Sequence, residues 1–259
     1  MDIEKLKKIE GSIENLKSKK SRIYFMVQDT KGNPKASVRH IYDIALTLFK
    51  NGFNPTIIHE TNDYSGVSEW LNDDYKEEVF KKKEKPSKPI ISIHTREARD
   101  TAKIIKSFYL KYPQFRWITF RDMRGIKQDD FANFLQESYL SIWVDNESGF
   151  GTFPLESMIS GTPVIGKIPN LKPDWMTEEN GLWLNNFNEI IDVVANFTQN
   201  WLEDNISENL YVNMKLTGEN YQDSEKFEQS VVSLFQGYLN TRYQIFEEQL
   251  QKIKESENI

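Results

Sequence analysis

The chain of 259 residues contains no cysteine. That excludes disulfide cross-links and thiolate metal sites, and it suits a reducing compartment, so the expected location is the cytoplasm. Histidine is scarce too. The three present, His40, His59 and His94, show no paired spacing of the kind that holds a metal. No strand is followed by Gly-x-Gly-x-x-Gly, which argues against a hydride-transferring oxidoreductase. Positive charge is in deficit: 33 Lys and Arg face 39 Asp and Glu, for a net charge of −6, so no global field draws nucleic acid to the surface. No apolar run approaches the length of a membrane span, and the charged opening "MDIEKLKKIE" does not read as a secretory signal.

What is present argues for a folded α/β protein. Hydrophobic residues make up 38% and aromatic residues 13% of the chain, with six tryptophans. Ile3, Leu6, Ile9, Ile13 and Leu16 recur at helical spacing, which predicts an amphipathic helix over residues 1–20. Lys17, Lys19 and Lys20 leave two readings of it open, packing on a neighbouring element or a peripheral membrane contact. "SRIYFMVQD", "KASVRHIYDIALTLFKNG" and "FNPTIIHE" read as strand, helix and strand, a parallel βαβ unit within residues 21–80. The charge run at 81–88, broken by proline, reads as a linker.

From Pro89 the alternation restarts. "PIISIHT", "FRWITFRD", "LSIWVD" and "TPVIGKI" are expected strands with helices between them, and "NGLWLN" is a short extra strand. Residues 89–237 are therefore expected to form a doubly wound parallel sheet that binds its ligand at the carboxyl ends of the strands. Phe235, Leu239, Phe246, Leu250 and Ile253 mark a terminal helix, assigned to 238–259, whose apolar stripe needs a partner surface. A homodimer is one way to supply it.

The most informative stretch is "ESGFGTFPLESMISGTPVIG", residues 147–166, which joins a strand to a helix. Gly149 and Gly151 would let the backbone approach a ligand. A helix starting near Thr152 would aim free N–H groups and the positive end of its dipole at an anion. Glu156, one turn in, could accept hydrogen bonds from ribose hydroxyls. Spacing alone leaves an ordinary strand–helix turn equally open.

The string "SGFGTFPLESMISGTPVIG" resembles the donor-site segment of retaining glycosyltransferases with the two-domain GT-B fold, most closely the family 4 group (glycosyl transferases group 1). Phe150, Gly151, Leu155, Glu156, Met158, Gly161, Pro163, Val164 and Ile165 fall in register with that family's pattern. "ENGLWL" (179–184) and "ISIHTREARDTAKIIKSF" resemble further parts of its donor-binding domain. The resemblance covers roughly residues 88–240. It implies a GT-B-like fold, with a Rossmann-type C-terminal domain and a shortened N-terminal, acceptor-side unit. The implied activity is metal-independent, retaining sugar transfer from a nucleotide-sugar donor to an unknown acceptor.

By that resemblance the donor diphosphate falls to Arg96, with Arg99 or Lys103, and to the loop Gly149, Phe150, Gly151 and Thr152; Glu156 takes the ribose. A guanidinium can clamp two phosphate oxygens at once. Two departures stand out. Ser148 occupies the position of the family's first acid, with Glu147 one residue early, so the catalytic candidates are Glu147, Ser148 and His94. The N-terminal region is also too short for a full acceptor domain, which leaves a non-catalytic nucleotide-sugar-binding or assembly module as the alternative. Asn33 and His40 lie where an acceptor could be met. A rival reading takes Asp145-Asn146-Glu147 as an acidic pair for manganese in a single-domain transferase.

Overall fold

A computed structural model describes residues 3–19, 21–32, 36–61, 63–67 and 88–256. In chain order the elements are α1 (Ile3–Lys17), β1 (Arg22–Val27), α2 (Ala36–Lys50), β2 (Asn54–His59), β3 (Ile90–Thr95), α3 (Ala98–Lys111) and β4 (Thr119–Asp122). There follow α4 (Gln128–Glu137), β5 (Leu140–Val144), α5 (Thr152–Ile159), β6 (Val164–Lys167), β7 (Leu182–Leu184), α6 (Ile190–Leu202), α7 (Glu208–Gln222) and α8 (Ser224–Ser256). They group into two compact units, Met1–Asp74 with Asp223–Ile259, and Tyr75–Gln222.

In the first unit β1 and β2 pair in parallel, from Arg22 beside Asn54 to Val27 beside His59. The connecting helix α2 ends at Lys50, and Gly52, with a φ of +81°, turns the chain into β2 while the Phe53 N–H donates to the Leu48 carbonyl at 3.0 Å. Leu16, Leu48, Phe53, Val231 and Leu239 form the core, with Ile23, Phe25 and Phe235 packed on it. The loops after the two strands are tied together: Asp29 accepts from the Thr61 hydroxyl and from the Thr61 N–H at 3.0 Å. His59 is engaged at both ring nitrogens, by the Gln28 carbonyl at 2.9 Å and the Tyr42 hydroxyl at 2.8 Å. It is a structural histidine.

Both terminal helices belong to this unit, which differs from the expected separate segments 1–20 and 238–259. Ile13 of α1 packs with Leu250 of α8, and Lys17 and Lys19 lie over the rings of Tyr243 and Phe53. Those two lysines, candidates for a membrane contact, are thus in use within the fold. α8 begins fourteen residues before the expected 238, because Asp223 caps it: its Oδ1 accepts from the Lys226 N–H at 2.9 Å. The sheet-bearing unit accordingly ends at Gln222 rather than at 237. Asn33, and the expected linker 81–88 apart from Lys88, lie outside the described residues.

In the second unit five parallel strands run in the order β4-β3-β5-β6-β7. The chain steps from β3 outward to β4, then returns to the other side of β3 for β5. Strand β5 is buried along its whole length. Its Leu140, Ile142 and Val144 join one core cluster with Ile104 and Phe108 of α3 and Val194 of α6. Trp143 joins a second cluster with Leu135 of α4, Phe153 of α5 and Met214 of α7. Alternation along one strand therefore feeds two apolar layers, the pattern of a parallel sheet covered by helices on both faces. Among the described residues no helix is long and apolar enough to cross a membrane.

Candidate functional site

The reversal of strand order between β3 and β5 opens a crevice at their carboxyl ends, the usual ligand position in such sheets. Arg96 is the first residue past β3. Its N–H continues the ladder to the Val144 carbonyl at 3.0 Å, and its Nη1 lies 3.4 Å from Asp145 Oδ1. The Arg96 side chain is 56% exposed, so this ion pair orients more than it stabilises. Asp145 also closes the turn that follows β5, accepting at Oδ1 from the N–H groups of Glu147 (3.0 Å) and Ser148 (3.2 Å). This is the Asx geometry that short acidic side chains favour.

Ser148 continues the same chain of contacts: its hydroxyl accepts from the Gly151 N–H at 3.1 Å. Gly151 then caps α5 in the left-handed region at φ +75°. A Cβ there would stand 3.0 Å from Trp175, 3.1 Å from Pro154 and 3.2 Å from Trp143. The missing side chain at 151 makes room for two indoles, not for the ligand that the sequence suggested. At Gly149 a Cβ would meet Leu171 at 3.2 Å. The Trp175 indole also donates to the Phe150 carbonyl at 2.7 Å, while the Phe150 ring stays 43% exposed, set edge-on to Tyr221.

The amides at the start of α5 are thereby sorted. Gly151 is bonded to Ser148 and Pro154 has no N–H, which leaves those of Thr152 and Phe153 at the first turn. Beneath them the His94 ring stacks on Phe153, with centroids 5.1 Å apart. Burial pushes the His94 imidazole below its ordinary value, against the opposite pull of Asp145 and Asp122, and its buried Nδ1 has no hydrogen-bond partner. Asp122, at the end of β4, is held low by Arg124, whose Nε donates to its two oxygens at 2.9 and 3.1 Å.

A shallow hollow of about 170 Å³ lies at this edge, lined by Arg96, Glu97, Asp100, Val144, Asn146 and Glu147. Arg96 and Glu147 thus meet around one space. Of the other sequence candidates, Arg99 is exposed on the first turn of α3 and Glu156 is half-buried on α5; neither lines the hollow. Lys103 holds its ammonium 4.8 Å from the centre of the Phe187 ring. Of the acidic pair, Asp145 accepts from two amides and pairs with Arg96, and Glu147 accepts from Asn170 at 3.4 Å. Among the described residues no three His, Asp or Glu are grouped so as to hold a metal.

No family model and no curated protein matches the chain. Among solved structures it is similar to the C-terminal domain of a glycosyl transferase group 1 family protein (LpcC) from Francisella tularensis, at TM-score 0.44 and 14% identity over 57% of this chain and 97% of that one. It is similar to the pneumococcal O-GlcNAc transferase GtfA, solved with UDP and GlcNAc, at TM-score 0.44 and 12% identity over 82% of this chain and 45% of that one. For TarM the TM-score is 0.44 and the identity 16%, over 85% of this chain and 50% of that one. The chain spans about half the length of the latter two. Likeness at this level decides neither family nor activity.

Sequence reasoning missed the organising role of Asp145. An Asp directly after an apolar strand and ahead of Asn-Glu-Ser is an Asx-turn signal, and it could have been found. Trp175 was missed for a different reason. It reaches Gly151 from 24 positions away, and nothing local in "NLKPDWM" announces that contact.

Proposed function

We propose that the chain binds a nucleotide-sugar donor at the carboxyl edge of its five-stranded sheet and transfers the sugar to an acceptor, with retention and without a metal. The observation that carries this reading is the meeting of Arg96 with the β5–α5 loop at the point where strand order reverses. The loop is also the segment whose residues fall in register with the donor-site pattern. In this scheme the diphosphate takes the Arg96 guanidinium and the Thr152 and Phe153 amides, and Glu156 accepts from the ribose hydroxyls. Fixed positive charge at that position acts most strongly as the leaving diphosphate gains charge in the transition state. Glu147, the acid of the loop that shares the hollow with Arg96, stays a candidate for this chemistry, beside Glu97 and Asp100 in the same lining.

A second reading is favoured by one specific observation. Ser148 stands at the family's first acid position, and its hydroxyl is engaged with the Gly151 N–H. A chain without that acid could hold a nucleotide sugar without transferring it. Incubation with radiolabelled nucleotide sugars and a panel of candidate acceptors separates the two, since a transferase moves the label to an acceptor and releases nucleoside diphosphate, whereas a binding module returns the donor intact. If neither binding nor release occurs with any nucleotide sugar, both readings fail.

A further inference from the structure

His94 stands at the ligand edge of the five-stranded sheet without a hydrogen bond. Its Nδ1 is buried and has no partner, and among the described residues none bonds the other ring nitrogen either. The neighbours of the ring are Phe153, with centroids 5.1 Å apart, and the charges of Asp145, Asp122 and Arg124. His59 makes the contrast, since its ring is bonded at both nitrogens and its role is complete within the fold. Polar groups in protein interiors nearly always find a partner, so an imidazole left without one beside a ligand crevice calls for a partner from outside the chain.

Strand register places His94 among groups suited to an anion. It lies beside Trp143 of β5. Arg96 follows two residues after His94, and Asp145 two residues after Trp143, so alternation brings all three to one face of the sheet. That face is the one α5 covers, because His94 stacks on Phe153. Arg96 and the Thr152 and Phe153 amides make it a face of donors. The carboxylates nearby are already engaged, Asp145 by Arg96 and two amides, Asp122 by Arg124.

Burial also settles which nitrogen is available. Desolvation disfavours the charged ring, so the imidazole is neutral near pH 7 and carries one proton. On Nδ1 that proton would be a buried N–H with no acceptor, so it sits on Nε2. The residue as a whole is only half-buried, which leaves Nε2 as the nitrogen that can face the crevice. We propose that His94 is a ligand contact of this site, its Nε2–H donating to a diphosphate oxygen of the molecule held by Arg96, a contact that presupposes the donor site proposed above. The diphosphate is then read by a neutral donor as well as by a charged one.

The side-chain amide of glutamine can place an N–H where Nε2–H stands, whereas that of asparagine reaches only as far as Nδ1. Calorimetric titration with inorganic pyrophosphate, UDP, GDP and ADP is expected to show affinity about tenfold weaker in His94→Leu and His94→Asn, and within about threefold of wild type in His94→Gln. Nitrogen-15 NMR of the wild-type protein, which has three histidines, gives a second reading that needs no variant to fold. It is expected to find the His94 proton on Nε2 at about pH 7.5, and that N–H signal to move when the anion binds. Three results would overturn the contact and leave the donor site standing: a His94→Leu variant that binds as tightly as wild type, equal losses in the leucine and glutamine variants, or the proton on Nδ1. Wild-type protein that binds none of the four anions would overturn the donor site, and the contact with it.

Discussion

Gly151 shows how one residue constrains the whole turn. Its φ of +75° and its contacts with Trp175, Trp143 and Pro154 leave no room for a methyl group. Gly151→Ala is therefore expected to cost about 2 kcal/mol or more, combining the left-handed penalty with overpacking. Urea unfolding measures it, and a loss below a few tenths of a kcal/mol would contradict the contact geometry. His94 makes a pH prediction. Burial lowers its folded-state value below about 6.5. The unfolded chain therefore takes the proton first, so its contribution is full above about pH 6.5 and is lost as pH falls toward the folded-state value. His40 is depressed by burial in the same direction. Between about pH 7.5 and pH 5.5 wild-type protein should lose more stability, or gain less, than His94→Leu, the Asp43 and His40 contributions being common to both. Equal changes in the two proteins would show that His94 titrates normally. Asp43 has the opposite sign, its carboxyl pushed up to about 6 by desolvation. Asp43→Asn should stabilise the protein at about pH 7.5 and do little at about pH 4, where the folded wild type is already protonated.

At the scale of elements, the packing predicts where truncation hurts. Leu239 of α8 is buried in the first unit's core, and Leu239→Ala is expected to cost about 2–5 kcal/mol. Phe108 of α3 is fully buried in the second, and Phe108→Ala is expected to cost about 3–5 kcal/mol. The strands and helices of both units were legible because their signals are local. β5 reads as an unbroken apolar run, α2 as an amphipathic helix ending before Asn-Gly, and the reversal of strand order follows from alternating strands and helices. Ends were legible only where a cap was noticed: Asp223 starts α8, yet the terminal helix was drawn from 238. The assignment of both terminal helices to the first unit was not legible, because apolar stripes on α1 and α8 state a need for partners without naming them. In the candidate site the sequence singled out the β5–α5 loop, which the structure sets beside Arg96 through Asp145. It misread what the glycines do there, since the indoles that fill the space come from distant positions.

On the scale of the whole molecule, two compact units with separate cores imply two cooperative transitions. Fluorescence-detected urea unfolding should resolve them, with Leu239→Ala moving one midpoint and Phe108→Ala the other; a single transition moved by both variants would show the cores to be coupled. The proposed function belongs to the second unit, and it is tested most directly by thermal unfolding with UDP, GDP, ADP and their sugars, each with and without EDTA. Ligand at about 100 times its dissociation constant adds about 2.7 kcal/mol. For a chain of this size that raises the midpoint by roughly 5 to 10 °C. The account predicts such a shift for one nucleotide class, unchanged by EDTA and absent in Arg96→Ala. A shift that EDTA abolishes, or that Arg96→Ala retains in full, would contradict the proposed mode of binding, and no shift with any nucleotide would contradict the donor site itself.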